Sequence, residues 1–372
     1  MAPDDELSGL LAPVSSNDRM HGLLRDPNVT QVAINRFDRV FYDDQAGTHK
    51  LEGAFANNGE YLGFLNQLLR ITDVGYEDVA TARTSVIEGS FDPLKTTLHG
   101  SIHIATKEVT RGDPILTVRK QPQEIVTLDD MVNQGMLSPE MRVLLEQAVR
   151  GRSNILISGG TGAGKTTLAR ALSWYIDPSQ RVLSVEEIDE LHLYDRLPNV
   201  AALTTHVERD ADGRVLRGTT LEDLVREALR MRASRIWVGE TRGREAYALV
   251  KACNSGHDGS VTTLHADDSR TAIDQLVSYM MEGQVTEDVA RRQVANAFHL
   301  CVQIQRARMG RRIISEIVEL DNVQEGKAQR INPIYKYDFE ADTFVRPGVP
   351  GVRLTRLWAK YGVVPAAVGP VR

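Results

Sequence analysis

Apolar and polar positions divide this chain into two stretches of different rhythm. From Val29 to about Lys120, short β-type runs (Val32 to Ile34, Val40 to Tyr42, Ile102 to Ala105, Ile115 to Val118) surround a stretch from Glu60 to Ile71. There Leu62, Leu65, Leu68 and Leu69 recur at helical spacing. The mixture predicts a small α+β domain over residues 19–119, preceded by a flexible lead-in, 1–18, rich in Asp, Pro and Ser. Residues 120–127 read as a linker, because Pro122 blocks regular pairing and no apolar period crosses them. After the linker the period changes. Ser138-Pro139-Glu140 places an N-cap before a proline at the first helical position, and Met141, Leu144, Leu145, Ala148 and Val149 then form one apolar stripe. Apolar runs at Ile155 to Ile157, Arg181 to Val185, Ile236 to Val238 and Ser260 to Leu264 alternate with helical stretches. This is the βαβ rhythm of a parallel sheet, over residues 128–320. Residues 321–372, with Pro333, Pro347, Pro350 and Pro365, read as a C-terminal extension holding a strand pair around Ile334 to Phe344 and a helical run near Leu354 to Tyr361.

Composition narrows the picture. A chain of 372 residues, 42% hydrophobic and 25% charged, suits two globular domains with their own cores. The net charge of −6 is mild and mixed in sign, which argues against a bulk electrostatic grip on nucleic acid or acidic lipid. Cys253 and Cys301 show no C-x-x-C spacing and fit a reducing compartment. The N-terminus, Met1-Ala2-Pro3-Asp4-Asp5-Glu6, is acidic where a signal peptide is basic, and no apolar run reaches membrane-spanning length. The expected location is the cytoplasm, with membrane contact only through a partner.

The candidate chemistry begins where Ile155-Leu156-Ile157 runs into Gly159-Gly160-Thr161-Gly162-Ala163-Gly164-Lys165-Thr166-Thr167. This is the Walker A pattern G-x-x-x-x-G-K-[ST], set between a strand and a helix as its mechanism requires. Glycines let backbone N–H groups converge on phosphate oxygens, Lys165 reaches the β and γ phosphates, and Thr166 offers a hydroxyl to Mg²⁺. Two further strands end in acids. Val182-Leu183-Ser184-Val185 leads to Glu186-Glu187-Ile188-Asp189-Glu190, and Ile236-Trp237-Val238-Gly239 leads to Glu240, a Walker B-like element with Glu for the commoner Asp. Carboxylates at that edge of an open α/β sheet either orient a water or hold Mg²⁺; a solvated acidic helix start is the ordinary alternative at Glu186. Downstream, His257 and His265 flank a small-residue strand without a third ligand at zinc spacing, which suggests a polar segment that senses the γ-phosphate.

The order of Walker A, an E-[DE]-x-x-E-L box, hhhGE-x-R-G and GH-x-G-S-x-T-T-x-HA resembles the secretion-superfamily traffic ATPases of type II and type IV secretion, conjugation and pilus assembly. Thr127-Leu128-Asp129-Asp130, Leu137-Ser138-Pro139-Glu140-Met141 and Ala228-Leu229-Arg230-Met231-Arg232 look most like the tight-adherence (Flp-type) pilus branch. The resemblance covers about residues 20–320. It implies a RecA-like P-loop ATPase domain with a parallel-dominated sheet, ATP and Mg²⁺ as ligands, and a hexamer driving pilus assembly or secretion through an inner-membrane platform protein. A conjugation or type IV secretion ATPase is the alternative within the superfamily, and a RecA-like DNA translocase the alternative outside it. No basic stripe or aromatic platform supports direct nucleic-acid binding.

Carried over by position, Glu186 matches the glutamate that polarises the attacking water, Glu240 the Walker B acid near Mg²⁺, and His257 with His265 the pair that couples nucleotide state to conformation. Thr166, Glu187 and Glu240 are the residues offered to the metal. Arginines of the N-terminal domain are expected at the phosphates, with Arg111 and Arg119 the candidates and Arg83 third. The chain departs from the family pattern in three places. Glu187 replaces the usual Asp, Ala233-Ser234 replaces Pro-Asp, and His99-Gly100-Ser101-Ile102 replaces an arginine-bearing D-G-S-R. The tetracysteine module of general secretory motors is absent from the sequence.

Overall fold

The computed structural model describes residues 18–44, 47–72, 74, 78–82, 86–91, 98, 100–110, 112–120, 126–209, 215–321 and 330–365. The lead-in through residue 17, linker residues 121–125, and the candidate arginines Arg83 and Arg111 lie outside the described residues. The chain divides into two units, Met1–Glu124 with Val207–Gly218, and Ile125–His206 with Thr219–Arg372.

In the first unit α1 (Asp18–Arg25) precedes β1 (Gln31–Arg36), β2 (Arg39–Asp44) and β3 (Gly47–Leu51); α2 (Asn58–Arg70) then leads to β4 (Val86–Ser90), β5 (Gly100–Ala105) and β6 (Ile115–Lys120). The strands pair antiparallel in the order β3-β2-β1-β6-β5-β4. α2 starts where the Asn57 side chain accepts the N–H of Glu60, and it buries Tyr61, Phe64, Leu65, Leu68 and Leu69. That face is broader than the leucine spacing alone implied. The buried Tyr61 hydroxyl is satisfied by donating to Pro114 O at 2.8 Å.

The second unit carries α3 (Leu128–Asn133), α4 (Pro139–Arg150), β7 (Ile155–Gly159), α5 (Lys165–Ser173), β8 (Val182–Glu186) and β9 (Val200–Thr204). A hairpin, β10 (His206–Arg209) and β11 (Val215–Thr219), follows; most of it groups with the first unit. Then come α6 (Leu221–Ala228), β12 (Arg235–Val238), α7 (Glu245–Asn254), β13 (Val261–Leu264), α8 (Ser269–Met281), α9 (Glu287–Ala297), β14 (Leu300–Arg306), β15 (Arg312–Leu320), β16 (Ile331–Asp338), β17 (Thr343–Val345) and α10 (Val352–Lys360). They build a nine-stranded sheet in the order β17-β16-β15-β14-β7-β13-β12-β8-β9. From β14 to β9 neighbours are parallel, and the β14 to β17 end is antiparallel.

Alternation along the parallel strands feeds two cores. Ile155, Ile157, Val182 and Trp237 face one, with Met141, Leu145 and Leu168 of the helices; Leu156, Leu183, Ile236 and Val238 face the other, with Leu249, Leu276 and Val294. Burial on both faces explains why these strands read as unbroken apolar runs. The C-terminal extension completes the first of these cores. Trp358 is fully buried there and donates Nε1–H to Ser153 Oγ at 2.9 Å; only glycine fits at 151, where a Cβ would lie 2.2 Å from the indole. Arg353 donates to the carbonyls of Ala295, Phe298 and Leu320, meeting acceptors at the end of α9.

One buried base makes a stability prediction. His299 accepts the N–H of Asn154 through Nδ1 at 3.0 Å, and burial pushes its pKa from 6.5 down to about 3. The folded chain therefore keeps it neutral while the unfolded chain takes up a proton below 6.5. Its contribution is present above that pH and is lost as pH falls toward 3. Between pH 6 and 4 the wild type should lose about 1.4 kcal/mol per pH step more than His299→Asn in chemical denaturation. Equal slopes would remove His299 from the acid response.

Candidate active site

β7 enters the glycine loop at its own C-terminal edge, flanked by β14 and β13. Gly159 packs so closely on β14 that a Cβ would stand 2.5 Å from Ile304 O. Gly162 (φ +66°) and Gly164 (φ +102°) hold the left-handed conformations that fold the loop back onto α5. Gly164 is the N-cap of α5 and brings no capping side chain, so the first-turn N–H groups face the loop. Below the loop, Ser158 Oγ donates to Gln303 Oε1, and Gln303 Nε2 donates to Ala266 O at 3.0 Å. The strand feeding the loop is thus tied to the turn after β13.

Lys165 is anchored at the loop mouth. Its Nζ lies 3.1 Å from Gly159 O, 3.3 Å from Gly160 O and 3.1 Å from His265 Nδ1. His265 Nε2 is 2.9 Å from Glu240 Oε1. On its other oxygen Glu240 accepts from Arg242 at 2.8 Å, and Arg242 also reaches Glu187 Oε2 at 3.1 Å. A line of alternating groups therefore runs from the loop lysine through His265, Glu240 and Arg242 to Glu187. The threonines of the histidine-flanked strand brace it. Thr263 Oγ1 donates to Gly239 O at 2.7 Å, and Thr241 and Thr262 hydroxyls meet at 2.7 Å, fixing the tip that carries Glu240.

The other acids are placed differently from expectation. Glu187, offered to the metal with Thr166, is turned to Arg242 with its side chain 55% exposed; Glu190 instead reaches Thr166 Oγ1, at 3.5 Å. Glu186, the residue matched to water activation, is buried. Its Oε1 accepts the N–H groups of Glu190 and Leu191, both at 3.1 Å, and its side chain fills the space a Cβ on Gly239 would take. Burial, reinforced by the negative charge of Asp189, pushes the Glu186 carboxyl well above the ordinary carboxylate range.

His257 is not brought to the loop. It precedes β13 while His265 follows it, and β13 runs parallel to β7, so the two histidines stand at opposite edges of the sheet, on the order of 15 Å apart. His257 Nδ1 lies 3.2 Å from Ala252 O, and its neighbour Asp258 accepts from Lys360 Nζ at 3.0 Å and Tyr361 Oη at 2.8 Å. That turn belongs with the C-terminal extension. Arg119 sits on β6 of the first unit, with an exposed side chain.

Three contributors escaped the sequence reading. Glu190 carried a usable signal, standing four residues after Glu186 in the same acidic box. Arg306 and Arg312 carried none. They are cross-strand neighbours on the β14–β15 hairpin, and both donate to Gly162 O, at 3.2 and 3.3 Å. Their target lies 144 and 150 residues away in the chain. Burial and the facing charge of Arg306 lower the Arg312 pKa.

The chain is similar to several known proteins. The model of the family described as "Type II/IV secretion system protein" matches residues 101–338. A putative conjugal transfer protein of Mycobacterium tuberculosis is 29% identical over 328 residues, spanning 87% of each chain. Type IV secretion system protein VirB11 of Bartonella henselae is 29% identical, over 76% of this chain and 83% of its own. Among solved structures, the ATPase DotB of Yersinia pseudotuberculosis superposes with a TM-score of 0.56 at 18% identity, over 82% of this chain and 78% of its own. The pilus retraction motor PilT with bound ADP gives 0.53 at 12% identity, over 94% and 87%. These last two likenesses establish the fold.

Proposed function

This chain is a P-loop ATPase that belongs to the type II/IV secretion system protein family, and we propose that it works as a hexameric, Mg²⁺-dependent motor that moves a macromolecular cargo through a membrane platform. The observation that carries the reading is the line from Lys165 through His265 to Glu240, beside a Thr166 hydroxyl that meets Glu190. It joins the group that grips phosphate to an acid on a second strand, as hydrolysis coupled to movement requires.

The donors suit magnesium. Thr166 and Glu190 offer hard oxygens at the loop, and among the described residues no cluster of three His, Cys, Asp or Glu side chains forms an all-protein cage. Magnesium bound through one or two side chains, phosphate oxygens and waters needs no more than that, and when bound it neutralises charge on the phosphates. We assign Lys165 to the β and γ phosphates, Glu190 to the water-bearing side of Thr166, and Glu240 with His265 to sensing phosphate loss. The role expected of Glu186 passes in part to Glu190. Glu186 closes the loop that presents Glu190, and exchanging Glu186 and Glu190 for glutamine one at a time separates the two.

The relatives named for conjugal transfer and type IV secretion favour a cargo of that kind. Pilus assembly is the second reading, favoured by the motif segments shared with the tight-adherence branch. No helix among the described residues is long and apolar enough to cross a membrane, so attachment there is assigned to a partner. Phosphate release from Mg²⁺-ATP by the purified chain, together with sedimentation in nucleotide, tests the proposal. A catalytically active hexamer is expected, and a monomer with no turnover under all nucleotide conditions would overturn it.

A further inference from the structure

A cavity of about 630 Å³ opens in the second unit, lined by Ser179, Arg181, Asn199 and the run Met231-Arg232-Ala233-Ser234. Arg181, Asn199 and Ser234 each stand one residue before a strand, β8, β9 and β12 in turn, and these strands run parallel to β7. The cavity therefore lies at the edge of the sheet away from the glycine loop, a strand length or on the order of 15 Å from the acids at the far ends of β8 and β12. We infer that it is a binding site for a small phosphate-bearing anion, separate from the nucleotide site and independent of that reading.

Uncompensated charge carries the inference. Two arginines line the cavity and no carboxylate does. Arg181 donates Nε–H to Met231 O at 3.0 Å and Nη1–H to Asn199 Oδ1 at 3.2 Å, which leaves its Nη2 without a hydrogen bond among the described residues. Arg232 makes no ion pair or side-chain hydrogen bond among them. The acids that precede these segments are engaged elsewhere: Asp177 accepts the N–H and hydroxyl of Ser179, at 2.9 and 2.7 Å, and Glu227 pairs with Arg230 at 2.8 Å. An anion in the cavity meets both guanidinium groups at once. Ala233-Ser234 is also where the chain departs from the Pro-Asp of the family pattern, so a position that would bring a carboxylate to this cavity brings a hydroxyl. Ser234 Oγ accepts the backbone N–H of Arg181 at 3.3 Å and keeps its own hydrogen to donate, as Asn199 keeps its Nδ2. These donors come from separate strand starts and not from one planar fork, which suits tetrahedral phosphate oxygens over a flat carboxylate. The volume lies within the roughly 300–1,000 Å³ of small-molecule sites, and the polar lining selects a charged occupant.

Titration calorimetry with pyrophosphate, without magnesium, on Lys165→Ala reads this site with the loop's own cation removed. Saturable binding of one pyrophosphate is expected. Adding Ser234→Asp, which brings a carboxylate to the cavity and can still accept the Arg181 N–H, should lower the affinity about ten-fold or more. Adding Arg232→Asn instead should do the same, and asparagine tolerates the left-handed backbone there (φ +57°). No binding to Lys165→Ala, or a smaller fall with either added substitution, overturns the inference. Citrate, of similar charge, is expected to bind more weakly, and equal binding overturns the assignment to phosphate. Hydrogen exchange of the wild type needs no variant. Pyrophosphate should slow exchange within residues 179–182 and 231–235, and slowing confined to the glycine loop, residues 159–167, refutes the placement.

Discussion

Lys165→Ala is expected to reduce ATP turnover by about 10³-fold, equivalent to about 4 kcal/mol of transition-state stabilisation. The ammonium is held at the loop mouth by the Gly159 and Gly160 carbonyls, and it also meets the His265 ring. Its removal takes away the charge assigned here to the phosphates and cuts the line to Glu240 in one step. Arginine at 165 keeps the charge, but its planar fork cannot reproduce three contacts made by a compact ammonium, so Lys165→Arg should fall nearly as far. Initial-rate phosphate release checks both. Turnover within ten-fold of wild type in Lys165→Ala would show that the loop does not act on the phosphates.

The glutamate pair gives the second large effect, and the two substitutions should diverge. Glu190→Gln is expected to lower kcat by about 10²–10⁴-fold, the range for loss of a positioned general base, with ADP affinity little changed. Glu186→Gln acts first on stability. A carboxyl whose folded pKa is raised contributes stability below its ordinary value of 4.5 that is lost as pH rises through the folded value, so near neutrality the ionised form is a cost. Glutamine keeps an oxygen for the N–H groups of Glu190 and Leu191 and carries no charge. The variant should therefore gain roughly 1–3 kcal/mol at pH 8, and the gain should vanish below pH 4.5. Thermal melts across that range decide it. A variant less stable than wild type at pH 8 would show that the buried carboxylate is stabilising when ionised.

Several elements were legible because their signals are local. The stripe of α4, its Ser138-Pro139 start and the helix after the glycine loop each express contacts within a few residues. The parallel strands were equally plain, since burial on both faces leaves them apolar throughout. The extension resisted. Trp358 is spaced like any amphipathic helix residue, and its partners Gly151 and Ser153 lie some two hundred residues earlier, so its docking site could not be read from period. The histidines show the same limit from the other side. Both looked like site residues because both flank one strand, yet a strand has two ends, and only the direction of β13 beside β7 decides that His265 meets Lys165 and His257 does not.

The sequence by itself determined that a glycine-rich loop joins a buried strand to a helix, and that acids stand at the tips of two more strands, because backbone geometry and periodicity are properties of neighbours in the chain. Tertiary structure decided which acid faces Thr166, which histidine touches the lysine, and that two arginines steady the loop. Those contacts depend on strand order, with β14 and β13 brought to either side of β7 from a hundred or more residues away, and no local pattern encodes which strand becomes a neighbour.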